Sequence, residues 1–164
     1  MDNHDNAMTN QEIHIVYQEY NSIEEMNPED RELAAEAIKA MEGAYAPYSH
    51  FHVGAAVRMS NGQIVRGANQ ENAAFPSGLC AERTAMFAAG ARYPDKDMLS
   101  IALAGGVMGR LGSQPATPCG ACRQVMAQYQ AKSGKPMSVI MISADKVWKF
   151  EKVDDILPLI FNSI

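Results

Sequence analysis

The chain has 164 residues, 47% of them hydrophobic and 20% charged, which is the make-up of one ordinary globular domain and not of a disordered segment. A formal net charge of −5 argues against a basic nucleic-acid footprint, and no run approaches the roughly 18 apolar residues of a membrane span. Three cysteines, two of them in a C-x-x-C pair, point to a reduced, metal-binding chain rather than a disulfide framework.

Met1 to Gln11 is polar and acidic with no apolar signal core, so the expected location is the cytoplasm. Residues 1–10 read as a loose tail. Ile13 to Tyr20 partly alternates apolar and polar, as a short strand or a pairing arm would. Asn27-Pro28-Glu29-Asp30 is a helix start: Asn27 caps, Pro28 suits the first helical position and the acids favour the dipole. Leu33, Ala34, Ala37, Ile38 and Met41 mark one apolar face of a helix over 28–43.

After a turn at Ala46-Pro47-Tyr48-Ser49, residues 51–59 and 63–67 read as an antiparallel pair about Asn61-Gly62. Phe51, at the open end of the first strand, is either core or a stacking platform. Asn69 and Glu71 lie two apart in extended chain, so their side chains face the same way. They are either turn chemistry or an amide and a carboxylate set to bind a vicinal diol. A buried helix is expected from Cys80 to about Arg92, and a central strand over 99–104. Residues 105–117, rich in Gly and Pro, read as a loop over the site. A second helix is expected from Cys119 to about Ala131, with strands at 137–143 and 147–153. The helix between two buried strands reads as a right-handed crossover. The order specifies a three-layer α/β/α sandwich with a mixed sheet of about five strands. Residues 1–27 read as an N-terminal extension and 28–164 as the domain that carries both cysteine stretches.

All three cysteines fall at expected helix starts, Cys80 on one and Cys119 and Cys122 on the other. Unpaired N–H groups and the helix dipole favour thiolates there. Three thiolates leave one of zinc's four positions open, the catalytic pattern. Water bound to zinc loses its proton near neutrality. Glu82, two residues after Cys80, can shuttle that proton to a substrate nitrogen. Three thiolates and Zn²⁺ sum to −1, and Arg83 beside the site offsets that charge.

These segments resemble the zinc-dependent cytidine deaminases of the homotetrameric type. The resemblance is carried by Ala46-Pro47-Tyr48-Ser49 with Phe51-x-Val53-Gly54-Ala55-Ala56, Gly67-x-Asn69-x-Glu71-Asn72-Ala73, Cys80-Ala81-Glu82-Arg83-Thr84-Ala85, Pro118-Cys119-Gly120-Ala121-Cys122-Arg123-Gln124, and Leu157-Pro158 with Phe161. It covers residues 28–161. The resemblance implies one zinc per subunit held by Cys80, Cys119 and Cys122, with Glu82 as the proton shuttle of a hydrolytic deamination of cytidine or 2′-deoxycytidine in pyrimidine salvage. It implies that Asn69 and Glu71 bind the ribose hydroxyls, that Phe51 packs on the base, and that the backbone around Ala81 contacts the pyrimidine. In a homotetramer, Phe75 and Phe161 would reach toward a neighbour's site. The partner is a small nucleoside, with no nucleic acid and no membrane. Phe75 stands where many relatives carry tyrosine, and Gln70 where an apolar residue is more usual. Two rival readings are an aminonucleoside deaminase of the blasticidin type and a structural zinc or redox module without catalysis.

Overall fold

The computed structural model of the protein describes residues 8–161. The expected loose tail therefore lies outside the described residues over 1–7. Residues 8–17 carry no regular secondary structure and are exposed.

Six strands and three α-helices follow in the order β1 (Gln18–Tyr20), α1 (Pro28–Ala40), β2 (Phe51–Met59), β3 (Ile64–Ala68), α2 (Ala81–Arg92), β4 (Met98–Val107), α3 (Gly120–Ser133), β5 (Ser138–Ile142) and β6 (Val147–Phe150). The sheet runs β1-β6-β5-β4-β2-β3. Only the β4–β5 pair is parallel, with α3 as its crossover, so the sheet is mixed. It has six strands where five were expected. The sixth is the end of the Ile13–Tyr20 arm, which adds three residues antiparallel to the edge strand β6. Tyr17 stacks on Phe150 at 5.1 Å, and the Trp148 indole N–H donates to Glu19 at 2.6 Å.

Local chemistry sets the helix boundaries. Asn27 Oδ1 accepts the Asp30 N–H at 2.9 Å, and Pro28 occupies the first turn. A single 3-10 turn over Met41–Gly43 extends α1. The last helix stops at Gly134, whose φ of 65° is a left-handed conformation that glycine adopts without strain.

Alternation along the strands divides the core between two layers. Val57, Ile101, Leu103, Val139 and Met141 face α2 and α3. Ala56, Ala102, Ala104, Ile140 and Ile142 face α1, whose Leu33 is fully buried. Burial of one such leucine stabilises the fold by roughly 1.5–3 kcal/mol. The result is the expected three-layer sandwich.

Two glycines let helices press onto the hairpin. A Cβ on Gly54 would stand 2.2 Å from the Ala37 carbonyl oxygen of α1, and a Cβ on Gly67 would stand 2.3 Å from the Ala85 nitrogen of α2. The second contact seats the start of α2, with Cys80 and Glu82, against the sheet.

Strand β4 departs from expectation. It continues through Gly105 and Gly106 to Val107, where a loop was expected from 105. Pairing with Val53 and His52 of β2 keeps those glycines in the ladder. The loop begins only at Met108.

Candidate active site

The two helix starts converge beside the outer end of β2. Cys80 immediately precedes α2, and its carbonyl accepts the Thr84 N–H at 3.0 Å. Cys119 precedes α3 in the same way, its carbonyl accepting the Arg123 N–H at 3.0 Å, and Cys122 lies one turn further on. The early N–H groups of both helices therefore remain free to favour negative charge. Arg123 fixes the approach to this turn: its Nε donates to the Pro118 carbonyl at 2.8 Å and its Nη1 to the Ile156 carbonyl at 2.9 Å.

The three Sγ atoms lie within 4.8 Å of one another, and all three cysteines are free. Tetrahedral thiolate ligation at the usual zinc–sulfur distance places sulfurs about 3.8 Å apart, so the cluster fits a zinc ion. Among the described residues this cluster comprises the three thiols alone. The S–H of Cys122 and the guanidinium of Arg83 pull the Cys80 thiol down to about 5, while the same contact with Cys80, together with burial, pushes Cys122 up. Cys119 Sγ in turn lies 3.5 Å from Cys122 Sγ, and a cation bound among the three would displace the thiol protons.

Arg83 Nη2 donates to Cys80 Sγ at 3.8 Å. Its Nε is buried and has no hydrogen-bond partner among the described residues. Glu82 is only 4% exposed. Burial first, and the adjacent Cys80 thiolate second, hold its carboxyl above the usual carboxylate range. A carboxyl raised in this way holds a proton more readily than an exposed one, which suits it to proton transfer.

A cavity of about 410 Å³ opens over these groups. Phe51, Asn69, Glu71, Ala81 and Glu82 all line it. Phe51 is 38% exposed, a wall and not a core residue. Gly105 in the neighbouring strand leaves room for it, because a Cβ there would meet the Phe51 ring at 3.1 Å.

Asn69 and Glu71 face the cavity together because Gln70 between them is pinned from the other side. Its backbone exchanges hydrogen bonds with Leu79 at 2.9 and 3.0 Å, and its amide donates to the Gly43 carbonyl at 3.0 Å. That contact accounts for a polar residue at position 70. Asn69 clamps the start of β2, accepting the Val53 N–H at 2.8 Å and donating to the Phe51 carbonyl at 2.9 Å. Glu71 accepts the backbone N–H groups of Tyr48 at 2.9 Å and Ser49 at 3.2 Å, together with the Ser49 hydroxyl. Those donors, the hydroxyl foremost, hold its carboxyl below the usual range.

Phe75 and Phe161 are not brought to this cavity within the single chain. Phe75 is 74% exposed and lines a smaller neighbouring hollow with Leu79 and Arg83. Phe161 is 67% exposed, with its carbonyl held by Gln124 Nε2 at 2.7 Å. Sequence reasoning did not single out Ser49, Val53, Leu103, Ala116 and Thr117, which also line the cavity. Ala116 and Thr117 sit at the end of the segment expected to cover the site. Ser49 was visible as a turn residue and within the resembling stretch 46–49, with no role assigned to it.

Comparison with known proteins agrees with this geometry. The family model described as "Cytidine and deoxycytidylate deaminase zinc-binding region" matches residues 27–135. A cytidine deaminase of Halalkalibacterium halodurans is 50% identical over 98 residues, covering 58% of this chain and 68% of the relative. One from Sporosarcina psychrophila is 45% identical over 97 residues, covering 59% and 67%. Among solved structures, cytidine deaminase from Burkholderia pseudomallei superposes with a TM-score of 0.68 at 38% identity, covering 83% of this chain and all of that one. That from Mycobacterium tuberculosis gives 0.64 at 30% identity, covering 80% and 96%.

Proposed function

The chain belongs to the cytidine and deoxycytidylate deaminase family, and we propose that it hydrolyses cytidine, and 2′-deoxycytidine, to the uracil nucleoside and ammonia. The observation that carries this reading is the placement of a buried Glu82 beside three convergent thiols under a cavity of about 410 Å³.

Cys80, Cys119 and Cys122 would hold one zinc ion per chain. Zinc in that position supplies Lewis-acid activation of water at neutral pH. Arg83 donates toward the Cys80 sulfur and offsets the net negative charge of a trithiolate site. Glu82 takes the proton released by the attacking water and passes it to N3 of the pyrimidine. N3 keeps that proton; the water's second proton, carried by Glu82 to the C4 amino group, lets it depart as ammonia, and the ring keeps the water oxygen as its carbonyl. Phe51 packs against the base, and the buried backbone at Ala81 faces its polar edge.

Hydrogen-bond capacity supports a sugar diol at Asn69 and Glu71. A carboxylate offers about four acceptor positions and an amide two N–H donors. Backbone and Ser49 occupy three positions on Glu71, and Phe51 takes one N–H of Asn69. An acceptor position on Glu71 and an N–H on Asn69 are left, the complement of a hydroxyl pair.

The rest of the reading is organisational. Residues 28–164 make up the catalytic domain, and residues 1–27 are an extension whose end supplies β1. The enzyme works as a homotetramer in the cytoplasm, in pyrimidine salvage, with exposed Phe75 and Phe161 reaching a neighbouring subunit. No helix among the described residues is long and apolar enough to cross a membrane. Light scattering should return four times the 17.9 kDa chain mass. The activity is tested by incubating zinc-loaded protein with cytidine and following uridine and ammonia in equal amounts. Absence of both products overturns the assignment.

A further inference from the structure

Ser49 sits at the rim of the cavity, exposed and apart from the zinc cluster, and its hydroxyl bridges two pieces of the wall. It donates to Glu71 Oε1 and accepts the Phe51 N–H at 3.0 Å. The turn that places it is held at both ends. His50 follows with φ 55°, the left-handed region. The His50 N–H donates to the Ala46 carbonyl at 3.0 Å, and the His50 carbonyl accepts the Met108 N–H at 2.8 Å. Ser49 therefore has little freedom to leave Glu71.

The hydroxyl is the only side chain among the described residues that donates to Glu71; the carboxylate's other donors are backbone N–H groups, both on Oε2. Oε2 is filled by the turn itself, whereas Oε1 holds Ser49 and has one acceptor position left. The rotation of the carboxylate, and so the direction of that last position, depends on Ser49. Ser49 Oγ also accepts the Phe51 N–H, but Phe51 is held without it, by Asn69 on its carbonyl at 2.9 Å and by its place opposite Val107 in the β2–β4 ladder.

We propose, resting on the nucleoside reading above, that Ser49 is a positioning residue for sugar recognition: it aims the free acceptor of Glu71 at a ribose hydroxyl. It touches neither the reacting carbon nor the cysteines. Its loss should weaken ligands that carry sugar hydroxyls and leave those that lack them unaffected.

The test compares inhibition of cytidine turnover by uridine and by 2′,3′-dideoxyuridine, in wild type, Ser49→Ala and Ser49→Thr, with zinc content and melting temperature as controls. Loss of a hydrogen bond to a charged group predicts that Ser49→Ala weakens uridine by about tenfold. Dideoxyuridine inhibition and kcat should stay within about twofold of wild type, and Ser49→Thr should restore uridine binding. In a Glu71→Gln background the Ser49→Ala effect should shrink to about twofold or less. Equal weakening of both inhibitors, or of neither, overturns the proposal while leaving the nucleoside assignment standing. A wild-type protein inactive on cytidine removes the assignment, and this inference with it.

Discussion

Gly67 is the position where one added methyl group should do most damage to the site without touching it. Its Cβ would lie 2.3 Å from the Ala85 nitrogen and 2.8 Å from the Ala81 carbonyl oxygen, all backbone of α2. Ordinary contact begins near 3.4 Å, so α2 must retreat from β3 by roughly 1 Å. Overpacking of this kind costs about 1–3 kcal/mol, only partly offset by the entropy gained on replacing a strand glycine. For a chain of this size that lowers the melting temperature of Gly67→Ala by about 3–10 °C. Cys80 and Glu82 ride on the first turn of the displaced helix, and a misplacement of about 1 Å can reduce turnover by roughly a hundredfold. Gly120→Ala is the control: it follows Cys119 at the start of α3, and its Cβ meets nothing within 4 Å. It should keep full stability, zinc and activity. Calorimetric melting with cytidine turnover reads both effects. A Gly67→Ala protein that melts within 1 °C of wild type at full activity would refute the proposed packing of α2 on β3.

Two further outcomes follow from charge. Lys149 Nζ reaches Asp30 Oδ2 at 2.8 Å with both side chains under 15% exposed, which joins β6 to the start of α1. Lys149→Met should destabilise by about 3 kcal/mol, because Asp30 is left buried with only the helix start and Asn27 for support; a urea midpoint unchanged from wild type would contradict this. Zinc binding should release protons. In the metal-free protein Cys80 is already a thiolate at pH 7, being held near 5, whereas Cys122 is pushed up and protonated. Ligation must strip the Cys122 proton, so zinc affinity falls as pH falls. Calorimetric titration in buffers of different ionisation enthalpy measures that release, and identical heats in all buffers would count against it.

Much of this architecture is legible in the sequence because its signals are local. Asn27-Pro28 starts α1, Asn61-Gly62 turns the hairpin, and each cysteine stretch opens a helix, as their patterns specify. The misreadings lie where distant partners decide. Gly105-Gly106 has the composition of a loop, yet pairing with β2 keeps it in β4. The arm at 13–20 does pair, as its alternation suggested, over the three residues that meet β6. Ser49 was given no role because its partner, Glu71, is 22 residues away and reaches it only once the turn folds back. At Asn69 and Glu71 the turn-chemistry reading is the one the contacts bear out, since most of their hydrogen bonds build the wall; the positions left over are what the proposed diol binding would use.

The central claim is that Glu82 carries the proton through deamination at the thiol cluster. The most direct measurement is the ultraviolet loss of cytidine absorbance with zinc-loaded wild type and Glu82→Gln, each with its zinc content and melting temperature determined. The account predicts conversion to uridine by wild type, and a Glu82→Gln protein that keeps its zinc and fold but loses at least about a hundredfold in turnover. A Glu82→Gln variant that retains zinc and most of the wild-type rate would contradict it.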